Sequence, residues 1–154
     1  MQEPARGPWK NRTPTFPQKG ASSDAVSRAM STLPRRDTSP ELALRRLVHR
    51  AGLRYVVDAP LPGLPRRRAD LLFSRRKVVV FVDGCFWHGC PEHCRRPRAN
   101  GGWWSQKIEG NMARDQDTDL RLAEQGWTVI RVWEHEPVDE AAARVVALVR
   151  SRSI

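Results

Sequence analysis

The stretch KVVVFVDGCFWHGCPEHC, Lys77 to Cys94, decides how the rest of the chain is read. Its first half, Lys77 to Val82, is an unbroken β-branched and aromatic run. That pattern predicts a central strand covered on both faces, since a half-buried strand alternates apolar with polar residues. Its second half abandons the pattern. It holds all three cysteines of the chain, two histidines, and a phenylalanine and tryptophan side by side. A buried strand that empties into metal-ligating residues points to an α/β domain whose chemistry sits at the strand's end.

Working outward, Thr38-Ser39-Pro40-Glu41 reads as a helix start: a capping residue, then proline at the first helical position, then an acid in the first turn. Leu42, Leu44, Leu47 and Val48 give the helix its apolar stripe, and Gly52 ends it. Leu53 to Asp58 is expected as a first strand, Pro60, Pro62, Gly63 and Pro65 as a loop, and Ala69 to Phe73 as a second strand. Ser74-Arg75-Arg76 is then a tight turn. Beyond the cysteines, Trp103 to Gln125 reads as a long helix capped by Gly126. Trp127 to Trp133 is a further strand with both tryptophans in the core. Val138 to Arg150 is a closing helix with Val145, Val146 and Val149 facing inward. A short helix is expected from Ser23 to about Met30. The order of elements predicts a mixed central sheet flanked by helices.

The 154 residues fit one domain with a core of its own, over 23–154, behind a flexible basic tail at 1–22 that carries four prolines. The formal net charge is +10 and arginine supplies most of it, which points to a polyanionic partner such as nucleic acid. No apolar run approaches the roughly 18 residues that span a bilayer, and no apolar signal core opens the chain. An odd, clustered set of cysteines is a metal site in a reducing cytoplasm rather than a disulfide framework.

A structural zinc takes four Cys or His ligands. The preferred set is Cys85, Cys90, His93 and His135, with Cys94 as a substitute for His93, its immediate neighbour. His88 is then surplus. The zinc deaminases are excluded, because their H-x-E and P-C-x-x-C signatures are both missing. Phosphodiester hydrolysis calls for a hard cation on oxygen ligands. Asp70, one residue beyond Arg66-Arg67-Arg68, would hold such an ion close to a bound phosphate. Asp83 ends the neighbouring strand and Glu41 lies in the first helical turn. Phe86 and Trp87 suit an apolar wedge that enters a base stack, at a cost lowest where pairing is already poor, and Met30 would add a wedge from the other groove.

LPGLPRRRADLLF (61–73), KVVVFVDGCFWHGCPEHC (77–94), Trp103-Trp104, KIEGNMARD (107–115) and GWTVIRVWE (126–134) together resemble the very short patch repair (Vsr) DNA mismatch endonucleases, in family order and over roughly residues 26 to 137. The resemblance implies a restriction-endonuclease-like core with a structural zinc loop. It implies an enzyme that nicks double-stranded DNA beside T:G mismatches left by deaminated 5-methylcytosine. It makes Asp70 and the Val82 backbone carbonyl magnesium ligands, His88 the catalytic histidine, Asp115 its orienting acid, and Glu41 the holder of a water of the ion. It gives Phe86, Trp87 and Trp104 the role of entering the base stack. A cytosine-5 methyltransferase and other mismatch-repair proteins would act in the same pathway. The chain departs from the family pattern where His135 replaces a cysteine, where extra arginines precede Asp70, and where some members carry histidine at position 83. Two rivals share the charge, ligands and aromatics: a restriction-type nuclease on intact or modified duplex, and a zinc-stapled DNA-binding module with no chemistry.

Overall fold

The computed structural model describes residues 36–93 and 101–152. The expected tail, the Ser23–Met30 helix and Cys94 lie outside the described residues. The elements are α1 (Ser39–Arg50), β1 (Val56–Leu61), β2 (Leu64–Phe73), a 3-10 turn (Ser74–Arg76), β3 (Val78–Asp83), α2 (Gly101–Glu124), β4 (Thr128–Trp133) and α3 (Val138–Ser151). By their contacts the described residues group into two units. One comprises 36–85 and 119–152, the other 86–93 and 101–118.

The first unit holds a four-stranded mixed sheet in the order β1-β2-β3-β4. β1–β2 and β2–β3 are antiparallel, and β3–β4 is parallel, in register from Val78 opposite Thr128 to Asp83 opposite Trp133. The apolar run of β3 sits between two neighbours, as its composition predicted, and alternate residues serve opposite faces. Val78 and Val80 join Leu71, Phe73, Ile130 and Val132 beneath Leu44 and Val48 of α1 and Val145 and Val149 of α3. Val79 and Phe81 join Ala59, Leu61, Ala69, Leu72 and Leu122 on the other side. Covering both faces of a strand this way removes most of its apolar area from water, at about 25 cal/mol per Å².

Three expectations are corrected. The first strand lies at Val56–Leu61, not Leu53–Asp58, and the proline-rich loop shrinks to a two-residue turn, Pro62-Gly63. Proline with its fixed φ followed by glycine at φ +70° suits that turn. Pro60 is tolerated because β1 is an edge strand with a register shift at Pro60/Leu61. β2 consequently starts at Leu64 rather than Ala69, so Arg66, Arg67 and Arg68 belong to the strand and Asp70 lies inside it. Finally, Trp133 and Val146 are only half-buried. Trp133 stacks on the His135 ring, with centroids 6.5 Å apart and planes 16° from parallel. Trp127 packs at the margin of the second core cluster. Among the described residues no helix is long and apolar enough to cross a membrane.

Candidate active site and metal-ligand clusters

In the sheet unit, the β2–β3 ladder runs from Phe73 opposite Val78 to Leu71 opposite Val80 and goes no further. One step on, a side chain takes over from the backbone: the Val82 N–H donates to Asp70 Oδ2 at 2.7 Å. Lys77 and Asp83 turn their carbonyls to β4, where they accept from Thr128 N–H (2.8 Å) and Glu134 N–H (3.0 Å). By strand alternation Val82 turns both its N–H and its carbonyl the other way, toward β2 and Asp70. The Asp70 carboxyl and the Val82 carbonyl thus share one edge, two oxygen donors of the kind a hard cation takes.

Burial pushes the Asp70 carboxyl up to about 6, and the nearby Glu41 and Asp83 carboxylates add to the rise; the Val82 N–H and Arg45 oppose it. Glu41 is itself 5% exposed. Its Oε2 accepts from the Asp37 N–H at 2.9 Å and from Arg45 Nη2 at 3.0 Å, one helical turn on. A buried carboxyl whose proton affinity is raised by burial and by neighbouring acids is what a divalent cation relieves. Asp83, 3% exposed, is engaged elsewhere: Arg131 Nη1 donates to its two oxygens at 3.1 and 2.9 Å.

The arginines before Asp70 divide by role. Arg66 and Arg68 are exposed and Arg67 is half-buried. Arg68 is drawn to Asp58, donating from Nε at 2.7 Å, and Arg36 reaches the same carboxylate at 3.0 Å. These pairs hold the Asp58 carboxyl below its ordinary value, Arg68 chiefly.

The other unit carries the histidine. His88 Nδ1 lies 2.6 Å from Asp115 Oδ2, both half-buried. A carboxylate on Nδ1 keeps the proton of a neutral imidazole there and puts its basic lone pair on Nε2. Trp104, Ile108, Asn111 and Asp115 follow one another along α2 at spacings of four, three and four, so they share one helix face. Asn111 Nδ2 donates to the Trp87 carbonyl at 3.0 Å, bracing the residue before His88. Phe86 lies 5.1 Å from Trp87 and 5.3 Å from Trp104, edge to face. Phe86 and Trp87 are half-buried, whereas Trp104 is 3% exposed. Lys107 Nζ stands 4.9 Å from the ring centres of both Trp87 and Trp103. Asn111, Trp103 and Lys107 lie in motifs that the sequence singled out, but it gave none of them a role of its own. The helical spacing from Trp104 to Asp115 was the signal that could have found Asn111.

Sulfur and imidazole donors pair within each unit. Cys85 Sγ lies 3.0 Å from His135 Nδ1, and Cys90 Sγ lies 3.9 Å from His93 Nδ1. Two ligands of a tetrahedral zinc, one thiolate and one imidazole, stand ~3.5 Å apart by bond lengths alone, so both pairs are near that edge. Both thiols are buried and neither forms a disulfide. Glu134 Oε1 accepts the Cys85 N–H at 2.8 Å and holds the start of the loop.

A family profile described as DNA mismatch endonuclease Vsr matches residues 22–96. Among curated proteins, the type II nicking enzyme V.NaeI of Lentzea aerocolonigenes is 45% identical over 123 residues, covering 78% of this chain and 74% of that protein. The type II nicking enzyme V.XorIIP of Xanthomonas oryzae pv. oryzae is 43% identical, covering 70% and 77%. The DNA mismatch endonuclease Vsr of Escherichia coli K12 is 38% identical, covering 70% and 68%.

Proposed function

Because this chain belongs to the Vsr family of DNA mismatch endonucleases, we propose that it is a magnesium-dependent, zinc-stabilised nuclease that nicks one strand of duplex DNA beside a T:G mismatch. The observation that carries the reading is the Asp70 carboxylate standing against the Val82 N–H where the β2–β3 ladder stops. Asp70 and the Val82 carbonyl would hold magnesium, and Glu41 a water of its hydration shell. When bound, the ion supplies charge stabilisation for hydrolysis of the phosphodiester. His88, held by Asp115, takes the proton of the attacking water at Nε2. Cys85 with His135, and Cys90 with His93, would hold a structural zinc that staples the segment bearing His88. Phe86 and Trp87 enter the base stack beside the mismatch, with Trp104 behind them, while Arg66, Arg67 and Arg68 lie along the phosphates. The T:G substrate ties the enzyme to deamination of 5-methylcytosine, and so to a cytosine-5 methyltransferase and to other mismatch-repair proteins.

The test is a set of end-labelled duplexes differing only in one pair, T:G, C:G or 5-methylC:G, incubated with purified protein and Mg²⁺. We expect a single nick in the T-bearing strand of the T:G duplex, abolished by Asp70→Asn. Equal cutting of all three duplexes would favour a restriction-type activity. Tight binding without any cut would favour a DNA-binding module.

A further inference from the structure

Asp83 is a buried acid at the strand end that carries Val82, and it poses a problem for the proposed ion site: it offers a competing carboxylate next to the carbonyl that should serve. Arg131 answers it. Opposite Phe81 in the β3–β4 register, its guanidinium lies 4.5 Å from the Phe81 ring centre, on the face the strand's odd-numbered side chains share. Nη1 takes both Asp83 oxygens. Nε and Nη2 take Asp119, on the last turns of α2, at 3.0 and 2.8 Å. One planar fork therefore ties β3, β4 and α2 together and compensates a carboxylate that is 3% exposed. A lysine could not match two carboxylates at once in this way.

We propose that Arg131 is a positioning residue for the nuclease site: it engages both oxygens of the Asp83 carboxylate, so that the strand end offers the Val82 carbonyl and not a third carboxylate to the ion. The Asp83 carbonyl is fixed at the same time by the Glu134 N–H, so the residue after Val82 is anchored at both its side chain and its backbone. The inference rests on the proposed magnesium site.

The experiment pairs metal binding with turnover. Mn²⁺ is titrated into the zinc-loaded protein and followed by the electron paramagnetic resonance of the free ion, with Asp70→Asn as the control for site identity. Nicking of the T:G duplex is measured on the same samples at saturating Mg²⁺. Arg131→Met leaves Asp83 uncompensated, and we expect Mn²⁺ to bind at least threefold tighter while kcat falls at least tenfold. Asp83→Asn combined with Arg131→Met removes the stray charge and should return Mn²⁺ affinity to within twofold of the parent. If Arg131→Met does not fold, Arg131→Lys takes its place, with the same signs and smaller changes. Parent-like Mn²⁺ affinity and kcat in a folded single variant would overturn the proposal. So would a kcat loss with unchanged Mn²⁺ affinity, which marks a merely structural pair. Should the parent protein leave T:G duplexes intact, the nuclease reading fails by itself, and the Mn²⁺ titrations still report on Arg131.

Discussion

Asp70 shows how one side chain's surroundings set its behaviour. Its carboxyl sits at about 6 instead of 3.8, mainly through burial. The folded state therefore binds this proton more tightly than the unfolded chain. The ionised group disfavours folding above about pH 6, and the effect fades as pH falls toward 3.8. Asp70→Asn keeps an acceptor for the Val82 N–H and loses the charge. In magnesium-free buffer at pH 7.5 it should be more stable than the parent by up to about 3 kcal/mol, and the difference should vanish near pH 4; urea titrations at the two pH values decide it. The same shift predicts that nicking at subsaturating Mg²⁺ rises through about pH 6, with the limb moving to lower pH as Mg²⁺ increases. At His88, Asp115→Asn should cut kcat by roughly 10²–10⁴ with little change in DNA affinity, read from single-turnover rates against binding by anisotropy. Asp70 was visible in the sequence as an acid near the start of a strand after a basic run, but not as one well inside a strand that begins at Leu64. Asp115 came only from the family motif, since nothing in ARD itself names a partner 27 positions earlier.

At the scale of elements, the local signals worked where they were strong. The cap and proline at Thr38–Pro40, the glycines at 52 and 126 and the β-branched run of β3 each landed within a residue or two. The prolines around residue 62 misled, because proline is tolerated where a strand is paired on one side only: Pro60 lies in the edge strand β1, and Pro65 lies in β2 ahead of its Leu71–Phe73 pairing with β3, and that position is a property of the assembled sheet. The turn at Gly89 yields a direct prediction. Its φ is +67°, and an added Cβ would stand 2.5 Å from Met112 Sδ and 3.3 Å from Ile108 Cγ2. Gly89→Ala should therefore displace the loop beside His88 and lower nicking at least tenfold, while circular dichroism of the sheet and helices stays close to the parent spectrum.

For the molecule as a whole, charge and metal content are the measurable quantities. A net charge of +10 predicts affinity for a T:G duplex that falls at least ~100-fold between 50 and 200 mM salt, since released counterions drive the binding; filter binding across that range measures the slope. Zinc content should be one ion per chain and should drop on Cys90→Ala, with loss of nicking that added Mg²⁺ does not restore. The residue types for the two proposed metals, the strand that leads to them and the basic character were written in local sequence, because ligand chemistry, β-branching and charge belong to the residues themselves. What only the tertiary structure decided is how distant residues are brought together: Asp70 on the Val82 N–H, Arg131 between Asp83 and Asp119, and His88 on Asp115. These pairings depend on strand register and on which helix face turns inward, and a linear pattern of residue types carries neither.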